Sequence, residues 1–105
     1  MRDKALSLLG IARRAGYIES GTFLTEKAVK SKKAFLVVFA EDATSTTAEN
    51  LRRKCDYYHI PYCNHGTKEE LGHAIGMQER TCAAVTDRGL AQEIRRLLGS
   101  TEKEE

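Results

Sequence analysis

No stretch of the sequence approaches the roughly 20 uninterrupted apolar residues that a bilayer span requires, and the amino terminus lacks the basic, apolar and small-residue succession of a secretory signal. The expectation is a soluble, unexported, cytoplasmic protein with no membrane contact. Cysteine is scarce, and Cys55, Cys63 and Cys82 are an odd number at irregular spacing. That pattern fits thiols in a reducing compartment better than a disulfide framework. Also missing are a Gly-rich phosphate fingerprint, a nucleophile elbow and a cysteine nucleophile with a matched base, so nothing marks an enzyme or calls for a cofactor. Neither sign of charge dominates: 17 Lys and Arg stand against 15 Asp and Glu, for a formal +2. Distribution says more than the sum, since the N-terminal third is basic and acids gather in the tail at Glu102, Glu104 and Glu105.

At 105 residues the chain has room for one core. A single domain over 1–99 with an acidic tail over 100–105 is expected. Ala5, Leu8, Leu9 and Ala12 share a face and predict a first helix over 3–15, capped by Asp3 and ended by Gly16. A short extended piece over 17–20 then leads to Gly21 and Thr22, where Thr22 can cap a second helix that buries Leu24 and Ala28 and reaches about Ser31. Residues 35–40 are apolar without alternation, as in a central strand covered on both faces. A third helix follows, capped within 44–47 and burying Ala48, Leu51, Cys55 and Tyr58. Residues 60–63 make a short strand whose Pro61 belongs at a start or an edge. Thr67 caps a fourth helix with Leu71, Ala74 and Ile75 inward and with Gly72 and Gly76 as a smooth stripe for close packing. After a loop over 77–81, residues 82–86 form the last strand. Asp87 then caps a final helix on Leu90, Ile94, Leu97 and Leu98, and Gly99 terminates the fold. Strands alternating with helices predict an α/β protein, a three-layer α/β/α sandwich of five helices on a small mixed, largely parallel sheet of about four strands.

Gly21 opens onto a helix start whose unpaired amides attract phosphate, and Lys27, Lys30, Lys32 and Lys33 follow closely. Lys27 and Lys30 share a helix face, and with Arg13 and Arg14 they offer a basic surface for a nucleic-acid backbone. The competing reading is a solvated helix face and a Lys-rich turn. Cys55, His59, Cys63 and His65 lie close in sequence, but without a short Cys-x-x-Cys pair; buried cysteines and partly exposed histidines are the default over a zinc site. Glu41 and Asp42 end the central strand, where open α/β sheets often place catalytic groups, yet turn chemistry also explains them. Glu69 and Glu70 suit a helix first turn, and Tyr57, Tyr58 and Tyr62 read as core and rim.

The succession Leu8-Leu9-Gly10-Ile11-Ala12-Arg13-Arg14-Ala15-Gly16, Gly21-Thr22, Lys27-Ala28-Val29, then Leu36-Val37-Val38-Phe39-Ala40-Glu41-Asp42-Ala43, Cys55, Ile60-Pro61-Tyr62 and Leu71-Gly72-His73-Ala74-Ile75-Gly76 covers nearly the whole chain. It resembles the L7Ae family of kink-turn RNA-binding ribosomal proteins, most closely its bacterial YlxQ-like branch. The resemblance implies an α/β/α sandwich that binds structured RNA. Members that grip a kink-turn begin the second helix with Gly-x-Asn-Glu, whose polar side chains contact sheared G·A pairs. Gly21 and Thr22 match that motif, whereas Phe23 and Leu24 replace the Asn and Glu. By position, Lys27 takes the family's phosphate-contacting place and residues Gly76, Met77, Gln78, Glu79, Arg80 and Thr81 form the second RNA-contacting loop, more polar here than in archaeal members.

Three functions are therefore in play. The first is a non-catalytic RNA-binding protein, ribosomal or ribosome-associated, with altered specificity and with assembly factors as further partners. The second is a protein-interaction module or homodimer using an apolar spot at Phe23 and Leu24, and the third a small metal-dependent enzyme.

Overall fold

A computed structural model describes residues 3–102. Its elements are α1 (Lys4–Arg14), β1 (Ile18–Ser20), α2 (Thr22–Lys30), β2 (Leu36–Phe39), α3 (Thr46–Tyr57), β3 (Tyr62–Asn64), α4 (Lys68–Ala74), β4 (Cys82–Val85) and α5 (Arg88–Glu102). All four β2 residues are buried, and they alternate between two cores. Leu36 and Val38 pack with Ala5 and Leu9 of α1, Leu71 of α4 and Ile94 of α5. Val37 and Phe39 pack with Ala28 and Val29 of α2 and Leu51 and Cys55 of α3. The sheet is thus the middle of three layers, with α1, α4 and α5 on one face and α2 and α3 on the other.

Strand order is β1-β4-β2-β3. Only β2 and β3 run parallel, with Val37 opposite Tyr62; β4 is antiparallel to both β2 and β1. The sheet is mixed rather than largely parallel, and the loop after α4 is the reason. It folds back over its helix, so that the Arg80 amide donates to the Lys68 carbonyl at 3.0 Å and the Ala40 amide to the Thr81 carbonyl at 2.9 Å. The chain therefore re-enters the sheet at the end where β2 leaves it.

Local chemistry sets the helix limits. The Asp3 carboxylate accepts the Leu6 amide at 3.0 Å, the Ser45 hydroxyl the Ala48 amide at 3.2 Å and the Asp87 carboxylate the Leu90 amide at 2.9 Å. Thr67 and Glu70 form a reciprocal capping box, which gives Glu70 a part beyond dipole compensation. Gly21, not Thr22, caps α2, and Thr22 is its first residue. The buried side of α2 is Thr25, Ala28 and Val29, while Leu24 is 41% exposed. The Thr25 hydroxyl tolerates full burial because it donates to the Glu19 carbonyl at 3.2 Å. At the other end of the chain, α5 continues through Gly99 to Glu102, since glycine lowers helix stability without forbidding the conformation. Of the expected acidic tail, residues 103–105 lie outside the described residues.

Helices α1 to α4 all stop in the same way. In each, the residue after the cap is left-handed and donates to the carbonyl three residues back, and the next amide donates to the carbonyl five back. The pairs are Gly16 to Arg13 with Tyr17 to Ala12, Lys32 to Val29 with Lys33 to Ala28, His59 to Asp56 with Ile60 to Cys55, and Gly76 to His73 with Met77 to Gly72. This is the Schellman closure, which satisfies carbonyls left over at a helix end.

Asp3 also meets His65 Nε2 at 2.6 Å, tying the start of α1 to the end of β3. Partial burial raises the Asp3 carboxyl, but the Leu6 amide and His65 outweigh it and hold it below its ordinary value of 3.8. A depressed folded value means that the stabilisation is present above the unfolded value and is lost as pH falls through the folded one. Unfolding free energies from urea titrations of wild type and Asp3→Ala should therefore differ at neutral pH, by about 1 kcal/mol for a lost cap, and converge progressively as pH falls below 3.8. A gap that persists in acid would separate the effect from the carboxylate charge.

Candidate nucleic-acid interface

Because β1 pairs with β4, the turn from β1 into α2 lies beside the loop that enters β4. Gly21 takes φ 88° and ψ 164°, a region open essentially to glycine alone. In that conformation its amide donates to the Cys82 carbonyl at 3.0 Å while its carbonyl accepts the Thr25 amide at 3.0 Å. With no side chain at the cap, the first-turn amides of α2 are left for solvent or a ligand. A second set of bonds locks the loop against this turn. Arg80 Nε donates to Ser20 Oγ at 3.4 Å, and Met77 Sδ accepts from both the Ser20 hydroxyl at 3.4 Å and Arg80 Nη2 at 3.2 Å. Arg80 Nη1 donates to the Glu79 carbonyl at 3.1 Å.

The structure therefore brings Gly21, Thr22, Phe23 and Leu24 together with Gly76, Met77, Gln78, Glu79, Arg80 and Thr81. Phe23 is 77% exposed and Leu24 41%, and they diverge: Phe23 lines a groove between α2 and α3 with Glu26 and Lys54, whereas Leu24 lines the one with Glu19 and Lys27. Gln78 and Glu79 are exposed at the loop tip, whereas Arg80 is partly buried with its guanidinium turned into the loop. Ser20 and the clamping use of Arg80 were not legible in the sequence, because nothing in a one-dimensional pattern announces that a loop 57 residues away will meet Ser20.

The glycines of α4 have separate uses and do not form the expected smooth stripe. A Cβ on Gly72 would lie 2.0 Å from the Gln78 carbonyl oxygen, so the bare backbone is what lets the loop fold over the helix. Gly76, at φ 73°, closes the helix end in open space. The close approach between helices falls instead at Gly10 on α1, where a Cβ would lie 2.8 Å from the Ala74 carbonyl oxygen of α4.

The lysines divide. Lys27 lines a groove along α2 with Glu19, Leu24, Ala28, Ser31 and Lys33. Lys30 is paired with Glu26 at 3.2 Å, and Lys54 reaches the same carboxylate at 2.7 Å; hydrogen bonds from Lys54 and Lys30 hold Glu26 below the usual carboxylate range. Arg13 and Arg14 end α1 in the opposite helical layer, so the expected four-residue basic surface is not one face. Cys55 faces the α2 and α3 core and Cys63 the other one, which separates the sequence-adjacent metal candidates; no cluster of metal-ligating side chains occurs among the described residues. Burial pushes the Cys55 thiol up to about 12 and the Cys82 thiol up to about 11, so both are poor nucleophiles. Asp42 accepts the Lys68 amide at 2.9 Å, a joint between β2 and α4.

Residues 3–95 match the family described as ribosomal protein L7Ae/L30e/S12e/Gadd45. The chain belongs to this L7Ae family. Among its relatives, the RNA-binding protein YlxQ of Bacillus subtilis (strain 168) is 42% identical over 91 residues, covering 87% of this chain and 91% of that protein. The RNA-binding protein YlxQ of Enterococcus faecium is 32% identical over 97 residues, or 92% and 93% of the two chains. A solved structure of a protein of unknown function from Bacillus halodurans superposes with a TM-score of 0.88 at 37% identity, covering 93% of this chain and 99% of the other. The Giardia lamblia 15.5kD RNA binding protein shares the L7Ae fold alone, with a TM-score of 0.77 at 23% identity over 98% and 92% of the two chains.

Within this L7Ae fold the loop's position depends on Gly72. Replacing it with alanine forces the Gln78 carbonyl away, an overpacking cost of about 1–3 kcal/mol. A urea midpoint and amide spectra of Gly72→Ala should show lost stability together with shifts concentrated at residues 77–81; spectra perturbed mainly in α1 would locate the strain elsewhere.

Proposed function

We propose that the chain is a non-catalytic, cytoplasmic RNA-binding protein that recognises structured, kink-turn-like RNA in a ribosomal or ribosome-associated setting. The reading is supported by membership of the L7Ae family, by relatives named as RNA-binding proteins, and above all by one local observation. The first turn of α2, with its unclaimed amides, and the loop 76–81 form one continuous edge held by the Gly21 to Cys82 bond and the Arg80, Ser20 and Met77 contacts.

Roles on that edge follow from chemistry. The amides of α2 and Lys27 meet phosphate oxygens. Phe23 offers an aromatic face for an unstacked base, and the backbone at Gly76 and Met77 through Thr81 supplies shape. Phe23 and Leu24 have neither the acceptor nor the donor of an amide or carboxylate, so discrimination at guanine edges falls by about 1–3 kcal/mol for each lost contact. Specificity then comes from the bend and width of the folded RNA. Lys30, neutralised by Glu26, adds less than Lys27.

Two substitutions separate contact from positioning in filter binding across a salt series. Lys27→Ala should weaken binding to a kink-turn RNA and lower the salt slope by about 0.9, one phosphate's worth. Arg80→Ala should weaken it with the slope unchanged, because its guanidinium holds the loop instead of a phosphate. Equal affinity for the kink-turn and for a plain duplex in the wild-type protein would remove the proposal.

A further inference from the structure

The pole where α2 and α3 end carries features that the proposed edge does not use. Among the described residues, Lys32 and His59 are the non-glycine residues with positive φ, both at 62°. They occupy the helix-closing position that Gly16 and Gly76 fill on α1 and α4. A left-handed backbone favours glycine there, and such strain persists where the side chain has a use. The two turns are neighbours, since they feed the adjacent parallel strands β2 and β3 and the Val37 amide donates to the Pro61 carbonyl at 3.1 Å.

Beside them Tyr57 is 76% exposed. Its ring stands edge-on to Tyr58 at 5.0 Å, and Tyr58 is itself packed on the core, so the exposed ring has a fixed support. Lys32 and Lys33 of the neighbouring turn are exposed, as is Arg53 one helical turn before Tyr57, where its Nη1 donates to Asn50 Oδ1 at 3.3 Å. Of the nearby acids, Glu26 is taken by Lys30 and Lys54, which leaves Asp56 as the opposing charge. Favourable cations at helix ends do not account for this, because Lys30 and Lys54 already supply them in both last turns and glycine would close both turns without strain. The groove holding Lys27 and Lys33 runs along α2 towards the interface at its other end.

We infer that this pole is a second RNA-contact surface, taking a single-stranded segment that stacks a base on Tyr57 and sets its phosphates against Lys32, Lys33 and Arg53. An exposed aromatic ring with cations on the flanking segments is how proteins hold unpaired strands without reading sequence. The inference rests on the preceding reading for the chemistry of its ligand and not for its location.

The test uses the full chain and two labelled RNAs: a kink-turn hairpin, and the same hairpin with a tail of about ten unpaired adenylates. The tail should tighten binding about tenfold, and Tyr57→Ala should remove most of that gain while leaving affinity for the tailless hairpin as it was. Lys32→Gly should lower the salt slope for the tailed RNA by about 0.7 and at the same time raise the thermal midpoint, a pairing that a purely structural residue would not give. A tail without effect, or a gain that survives both substitutions, would overturn the second surface while the hairpin still bound. Displacement of the tailed strand's extra affinity by polyglutamate as readily as by polyadenylate would overturn it too, in favour of an acidic protein partner. Failure of the wild-type chain to bind either RNA would sink the preceding reading and this one together.

Discussion

The antiparallel pairing of β1 with β4 is the constraint on which the rest depends. It places the Gly21 amide opposite the Cys82 carbonyl, and so fixes where α2 begins relative to the loop entering β4. Everything at the proposed edge is downstream of that juxtaposition. Were β4 parallel to β2, as α/β alternation alone suggests, the loop 76–81 would enter at the other end of the sheet, far from the start of α2. The reversal has a small cause in sequence terms: glycine at position 72 lets the chain double back across its own helix.

Two cores of different character support this arrangement. The side formed by α1, α4 and α5 contains a close helix contact, Gly10 against Ala74, and its members are joined by apolar packing and the Asp3 to His65 link. The side formed by α2 and α3 is cross-braced by polar groups. Arg52 lies over the Phe39 ring at 4.6 Å and donates to Asn64 Oδ1 and the Ala43 carbonyl, tying α3 to β3 and to the turn after β2. Thr25 does the same for α2 and β1. The proposed ligand-bearing helix thus sits on a face whose hydrogen bonds fix its azimuth, which apolar contact alone specifies less sharply.

What was legible in the sequence follows from the range of each physical signal. Caps, glycine stops and the unbroken apolar run of β2 are set by neighbours a few residues apart, and Asp3, Ser45, Thr67, Gly16 and residues 36–39 appear where local chemistry puts them. The rotation of α2 was not legible. Leu24 is the larger apolar side chain, but Thr25, Ala28 and Val29 form the tighter i, i+3, i+4 stripe and small residues allow α2 to approach the sheet. Strand direction at β4, the clamp on Arg80 and the separation of Arg13 and Arg14 from the lysines of α2 are all consequences of chain reversal, which no local pattern encodes. The proposed site was recognisable as two segments from family resemblance; their contact is a property of the fold.

The exposure of both Phe23 and Leu24 bears on how such an edge discriminates. Had Leu24 been buried, Phe23 alone would interrupt an otherwise polar helix start. With both open, the first turn of α2 presents apolar groups directly beside amides that have no side-chain cap. Water solvates that combination poorly on one side and well on the other, which is the profile that the proposed contact with a stacked base and its phosphate calls for. A protein partner would cover the exposed Phe23 ring but leave the amides needing an anion, whereas a polyribonucleotide supplies the ring and the phosphate from one residue. It is this coincidence of unmet amides and open ring on a single helical turn, rather than the net charge of +2, that favours RNA as the ligand.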